Sequence, residues 1–575
     1  MKPSHHASAH RFFVGLLLAA MVFAFGARTG APERLVRVIV QGSSASQAGQ
    51  MVSQGGGTVM NELEIIDGVS ASVPASAIRR LELAGLRVTP DYGVLSTGAS
   101  DREGGNTRNE ELYPSAASGT MGLADRGITG EGVTIAYVDS GFPELASAGQ
   151  WDRRVDQRTL YAEQSDRFVV YRDLLHAGGQ IINSSDPYGH GTHIVMTSAD
   201  NRRFRPARGQ HTPVGIAPEA NIVMVRALDA EGKGSYSTVI EAIDWIVANK
   251  NRYGIRVLNL SIDSYVLAPY WADPLNQAVM KAWQADLTVI AAAGNRGPQA
   301  MTVGVPGNNP YVITVGAIKS GRYTDSGYDQ LAGYSGAGPT ESRFVKPDVV
   351  TPASQTIAVM GKDSALAGTS AALLVDDQTK PQLKIGNLKN RDYAYYKVSG
   401  TSMAAAQVSG IVALMLQDEP NLTNNQIKQR LTATALPAGT GTAAGYSIWQ
   451  QGAGRVQAAL AVDSTSTASA NQGMNIAADL NYASGTHYLG STVYDEATGT
   501  FKVQDGAGSS WSGGGSSWSG GGSSWSGAGS SWSGGYLIWN GGGSSWSGAG
   551  SSWAGAAPDA PDAGDPWFGM HAVWG

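Results

Sequence analysis

Apolar and polar residues alternate along Arg34–Gln41 (RLVRVIVQ), the two-residue period of a half-buried strand. Ala45–Ser53 has the make-up of a short helix, and Asn61–Pro74 reads as two strands split by the Asp67-Gly68 hairpin signal. Helical spacing follows over Ala75–Ala84 and a last strand over Leu86–Val94, so residues 33–97 predict a small α+β sandwich of order βαββαβ. From 113 to 462 the pattern changes. Val133–Val138, Ile222–Leu228, Val257–Ile262, Leu287–Ala293 and Val312–Ile318 are short apolar runs rich in β-branched residues, with helical stretches such as Tyr236–Lys250 and Asp273–Ala285 between them. Buried strands alternating with helices predict an α/β fold, a mostly parallel sheet with helices on both faces. Such sheets bind ligands at the carboxyl ends of their strands.

The two ends of the chain carry other patterns. Lys2, three histidines and Arg11 precede an apolar run from Phe12 to Ala27, and small residues follow at Gly30 and Ala31. These are the parts of a secretory signal peptide over 1–31. The run is shorter than the roughly 20 residues of a membrane span, so export with cleavage is expected, to the medium or the cell surface. Ser96–Glu111 is polar throughout and predicts an exposed linker, with a processing site within 98–112. A connecting region, 463–504, leads to a tail over 505–575. There Trp511, Trp518, Trp525, Trp532, Trp539, Trp546 and Trp553 recur every seven residues among glycine and serine. So little apolar surface favours a flexible tail; an ordered repeat and a cell-wall or polysaccharide contact through the indoles are the alternatives.

Composition narrows the classes. The chain has 575 residues, 42% of them apolar, and a net charge of −6. That length suggests several folding units, and the mild charge offers no basic field for nucleic acid. With no cysteine, disulfides, thiolate metal sites and a cysteine nucleophile are excluded. No DxDxDG run and no HExxH occurs, so no metal site is predicted from motif.

Three separated segments carry candidate chemistry. VTIAYVDSG (133–141) is an apolar strand ending on Asp139, and a carboxylate at the mouth of a buried strand is costly unless used. In DPYGHGTH (186–193), His190 follows a glycine and enters an apolar helical segment. In VSGTSMAAAQVSGIVALML (398–416), Ser402 opens a helix of small and aliphatic residues, where amides and the positive dipole end converge. Singly, each is more simply a turn, a structural histidine or a core helix. Together, in the order Asp, His, Ser, they match one of the known orders of a catalytic triad.

These words make the chain resemble the subtilisin-like serine proteases, the subtilases. DSG at 139–141, HGTH at 190–193 and GTSMA at 400–404 are similar to that family's active-site words. GKGSYSTVIEAIDW (232–245) resembles its substrate-binding strand and following helix, VLNLS (257–261) the opposite cleft wall, and AAAGN (291–295) the segment supplying an oxyanion asparagine. The resemblance implies Asp139, His190 and Ser402 as the triad and Asn295 as oxyanion donor. It implies Gly232, Lys233, Gly234, Ser261, Ile262 and Asp263 as substrate-binding positions. It also implies that 33–97 is an inhibitory propeptide, that the partners are peptide substrates and that propeptide, and that no cofactor is needed for chemistry. Structural calcium is compatible with it, without assignable ligands.

Ser370 repeats the Gly-Thr-Ser triplet, but acidic residues soon end the apolar run after it, so Ser402 is the expected nucleophile. Ala406 and Gln407 depart from the family pattern, where proline and often histidine stand. Asp263 replaces a usual glycine; a surface-loop aspartate is the simpler reading, a pocket-narrowing or base-selecting residue the sharper one. The 360–397 stretch is longer than its counterparts. The predicted function is a secreted, autoprocessed endopeptidase; the alternative is a binding or scaffold protein that cleaves little beyond itself.

Overall fold

The computed structural model describes residues 33–97, 112–142, 167–176, 185–204, 212–319, 329–369, 374–375, 393–439, 446–481, 487–495, 500–503, 537–539 and 552–553. The expected signal peptide, most of the linker, Ser370 and nearly all of the tryptophan tail lie outside the described residues. Among those described, no helix is long and apolar enough to cross a membrane. The chain divides into two compact units, one ending at Pro90 and lacking Leu63–Ile66, the other formed by Leu63–Ile66 and the chain from Asp91 onward.

The small unit contains β1 (Leu35–Gln41), α1 (Ala45–Gln54), β2 (Thr58–Leu63), β3 (Gly68–Pro74), α2 (Ala75–Leu83) and β4 (Arg87–Pro90). Its sheet runs β2-β3-β1-β4, with β1 antiparallel to both neighbours and Leu35 opposite Pro74 at one end, Gln41 opposite Gly68 at the other. Alternation places Val38 and Val40 on the face that buries Ala48 and Val52 of α1 and Leu81 of α2. Ser44 begins α1 by accepting from Gln47 N–H. The last expected strand, Leu86–Val94, is two strands. Only Arg87–Pro90 joins this sheet, and Gly93–Ser96 (β5) belongs to the larger unit. Asp91 marks the break, its carboxylate accepting from the Ser237 amide and hydroxyl at 2.9 and 2.8 Å.

The larger unit is built on eight strands. β6 (Thr134–Asp139), β7 (Val169–Asp173), β8 (Asn221–Arg226), β10 (Ile255–Leu260), β12 (Thr288–Ala292), β13 (Ile313–Lys319) and β15 (Val349–Pro352) pair in parallel, and β14 (Gln330–Leu331) closes one edge antiparallel to β13. The order β14-β13-β12-β10-β6-β8-β7 puts β6 in the interior, and all six of its residues are buried. Continuous burial explains why these strands read as unbroken apolar runs rather than alternating ones. Helices α3 (His190–Ala199), α4 (Tyr236–Tyr253), α5 (Pro274–Gln284) and α6 (Thr401–Asp418) connect and cover them. Asp273 caps α5 by accepting from Asn276 N–H, and Ser235 caps α4 through Thr238 N–H. Two short strands, β9 (Lys233–Ser235) and β11 (Ile262–Asp263), stand apart from the main sheet, one on each side of β5.

Helix α6 is buried on every side from Thr401 to Leu416, which marks it as a core helix rather than an amphipathic one. It meets α3 closely: Ser198 Oγ donates to Ala406 O at 2.8 Å, and a Cβ on Gly410 would lie 3.3 Å from Ser198 O. Ala406 therefore suits a tight helix crossing. Gln407, fully buried, donates from Nε2 to Pro352 O at 2.6 Å. The long stretch beginning at 360 has its described ends paired as a hairpin, Thr356–Gly361 against Tyr393–Val398.

Candidate active site

Asp139 is the last residue of β6, His190 the first of α3, and Ser402 lies in the first turn of α6. All three are fully buried. His190 Nδ1 lies 2.8 Å from Asp139 Oδ1, which also accepts from the Ser140 amide at 2.7 Å and its hydroxyl at 3.2 Å. A carboxylate facing Nδ1 fixes the proton there and leaves the Nε2 lone pair available. That Nε2 has no hydrogen-bond partner among the described residues. Ser402 Oγ instead donates to Ser261 O at 3.2 Å and contacts the Thr97 hydroxyl. The structure thus joins the aspartate and histidine and leaves the serine turned toward the opposite wall.

Asn295 follows β12, and its carboxamide is held by one end. Its Oδ1 accepts from Thr401 N–H at 3.0 Å and from the Thr401 hydroxyl at 2.9 Å. The amide nitrogen must then point away, and it donates to the carbonyl of Thr97 at 2.5 Å. Next to this contact, a Cβ on Gly400 would fall on the Thr97 oxygen, and Gly400 holds φ 157°. Only glycine admits a carbonyl this close.

Thr97 ends a segment laid between two walls. On one side Lys233, Gly234 and Ser235 pair antiparallel with Leu95, Val94 and Gly93, and Ser96 N–H donates to Gly232 O at 2.9 Å. On the other, Ile262 and Asp263 pair with Ser96 and Leu95, and Thr97 N–H donates to Ser261 O at 3.3 Å. Every expected substrate-binding position, Gly232, Lys233, Gly234, Ser261, Ile262 and Asp263, contacts this one extended segment. The surface-loop reading of Asp263 is wrong: it is 6% exposed, and Arg296 binds its carboxylate.

Two supporting features escaped the sequence. Asp186 is partly buried and accepts four hydrogen bonds: Ser140 Oγ at 2.8 Å, Gly189 N–H at 2.8 Å, Thr192 N–H at 2.7 Å and Thr192 Oγ at 2.6 Å. Burial pushes its carboxyl up and those bonds pull it back. It ties the start of α3 to the residue after Asp139; an acid just before a helix is the signal that would have found it. Beneath Ser402, Ser409 Oγ donates to Asn259 Oδ1, Asn259 Nδ2 to Ser261 Oγ, and Ser261 Oγ to Ser402 O, at 3.0, 2.9 and 3.1 Å. Among the described residues no three carboxylates or imidazoles converge to hold a metal ion, so no calcium site is assigned.

Residues 130–456 match the model of the subtilase family. Serine protease AprX of Bacillus subtilis is 31% identical over 310 residues, covering 53% of this chain and 61% of AprX. Subtilisin E of the same organism is 26% identical over 400 residues, 68% of this chain and 81% of that protein. The chain thus spans under two thirds of AprX. Among solved structures, fervidolysin from Fervidobacterium pennivorans, described as keratinolytic, superposes with TM-score 0.54 at 20% identity over 76% of this chain and 62% of its own. At that identity the likeness supports the fold.

Proposed function

Because the chain belongs to the subtilase family of subtilisin-like serine proteases, matched over more than half its length, we propose that it is an exported endopeptidase. In this reading it uses Asp139, His190 and Ser402 and is made as a precursor that cuts itself after Thr97. The observation that carries the reading is the hydrogen bond from Asn295 Nδ2 to the Thr97 carbonyl, with residues 93–97 stretched between both walls. A peptide carbonyl held by an amide donor beside a serine hydroxyl is the ground state of acyl transfer.

The chemistry follows from the groups in place. Ser402 Oγ exchanges Ser261 O for His190 Nε2, the free lone pair, and gives up its proton as it attacks the carbonyl carbon. The oxyanion is held by Asn295 Nδ2 and the Ser402 amide at the start of α6. Asp139 keeps the imidazole oriented and stabilises the imidazolium, which then protonates the leaving amine of Gly98. Water hydrolyses the ester by the same steps reversed. Every group this needs is a side chain or amide of the chain, with no cofactor. Residues 33–97 would then be the propeptide and the segment before Thr97 a substrate held in place.

The test compares wild type with Ser402→Ala in the exporting host. Wild type is expected to yield a mature N-terminus at Gly98 and to digest casein; Ser402→Ala is expected to remain a precursor and digest nothing. A Ser402→Ala protein that matures in isolation and digests casein would overturn the mechanism. A wild type that processes itself but ignores other proteins would favour the scaffold role.

A further inference from the structure

Residue 97 sits between two stretches of chain, since Ser261 O binds its N–H and Asn295 binds its carbonyl. Two residues beyond Ser261 stands Asp263, and one beyond Asn295 stands Arg296. Arg296 Nη1 and Nη2 both donate to the Asp263 carboxylate, the second at 3.0 Å, and Nη2 also donates to Ser264 O at 3.0 Å. The glycines opposite show where this pair lies. A Cβ on Gly294 would come within 3.0 Å of the Asp263 carboxyl carbon and both its oxygens, and one on Gly304 would fall on the Asp263 carboxylate and the Arg296 guanidinium. Tyr265 closes the outer side, its ring centroid 4.4 Å from the guanidinium carbon. The space that glycines leave between the two walls is therefore occupied by an ion pair.

We infer that the Asp263–Arg296 pair sets the specificity of the residue before the cleaved bond, excluding large side chains and giving no advantage to basic ones. This deepens the proposed serine-protease reading and rests on it. A bulky side chain would have to displace a doubly bonded pair, and moving Arg296 away would leave the Asp263 carboxylate buried and uncompensated. A basic side chain would find the carboxylate already neutralised by a planar guanidinium, which fits it in a two-pronged fashion. Burial lifts the Asp263 carboxyl to about 7 despite Arg296, so the pair is strongest in neutral to alkaline solution. Thr97 agrees with the inference: it is small, uncharged and only 4% exposed.

The experiment maps cleavage sites in denatured proteins digested by the secreted mature enzyme, with Ser402→Ala as control. It then measures kcat/KM on peptides ending Val-Leu-Ser-X before the cleaved bond. Alanine, serine and threonine at X are expected to exceed phenylalanine, leucine, arginine and lysine by at least tenfold. In the double variant Asp263→Gly/Arg296→Ser the ratio of phenylalanine to threonine is expected to rise at least tenfold. The native profile stands even where that variant fails to fold. Ser402-dependent cleavage that prefers large or basic residues would overturn the inference and leave the protease reading standing. Absence of any Ser402-dependent cleavage would overturn both.

Discussion

Asn295 owes its orientation to Thr401: the amide and hydroxyl of the residue just before Ser402 both bind its side-chain oxygen, at 3.0 and 2.9 Å. The start of helix α6 thereby places Ser402 and orients the Asn295 amide at the same time. Asn295→Ala is expected to lower kcat about 10²–10³-fold with little change in KM, the size recorded for losing one such donor in a subtilisin. Thr401→Val removes only the hydroxyl and is expected to cost roughly tenfold in kcat, as one net hydrogen bond would, with Thr401→Ser restoring activity. Steady-state kinetics on one peptide separate these cases. Equal losses for Thr401→Val and Thr401→Ser would show that the hydroxyl does not position Asn295.

Asp139→Asn should leave the fold intact and the imidazole wrongly protonated. Its Nδ2 would donate to His190 Nδ1, moving the ring proton to Nε2, where the base is needed. A fall in kcat of about 10⁴-fold is expected, the scale seen when a triad aspartate is replaced in this way. Thermal denaturation should show no comparable change. A variant within tenfold of wild type would remove Asp139 from the mechanism.

Gly400→Ala tests the closeness of the bound carbonyl. The added methyl falls on the Thr97 oxygen and lies 3.3 Å from Asn295 Nδ2. Processing after Thr97 is expected to stop, with the far-ultraviolet circular dichroism of the precursor unchanged. Processing at the wild-type rate would show that residue 97 does not occupy this position during cleavage.

His193, one turn along α3 from His190, predicts the response to acid. Burial pushes its imidazole down from 6.5 to about 3, while Nε2 donates to Tyr396 O at 3.2 Å. The unfolded chain takes up a proton near 6.5 that the folded one refuses. The contribution of this group is thus complete above pH 6.5 and is lost as pH falls from 6.5 toward 3, by about 1.4 kcal/mol per pH unit. In a Ser402→Ala background, which prevents self-digestion, His193→Gln keeps a donor and should flatten the decline in urea midpoint between pH 7 and pH 5. An unchanged slope would assign that decline to other groups.

What the sequence made legible was local. Apolar runs located Thr134–Asp139 and Thr288–Ala292 to within a residue, and the words around Asp139, His190, Ser402 and Asn295 pointed to residues that the fold gathers at one end of the sheet. The rest depended on contacts between distant segments. Nothing near Asp263 in the chain announces Arg296, 33 residues on, so the sequence leaves a surface-loop aspartate as the simpler of two readings. Leu86–Val94 looked like one strand because its apolar residues run through Pro90 and Asp91; only the pairing of Gly93–Ser96 with Lys233–Ser235 and Ile262–Asp263 shows that it divides.

The interior position of α6 also bears on timing. A ribosome delivers residues 93–97 first, then Asp139, then His190, and delivers Ser402 last. In the folded chain Ser402 sits at the start of a helix buried from Thr401 to Leu416, so its place depends on the core around that helix. On the proposed reading, in which Ser402 is the nucleophile, the chain gains its cutting edge only when that core is closed.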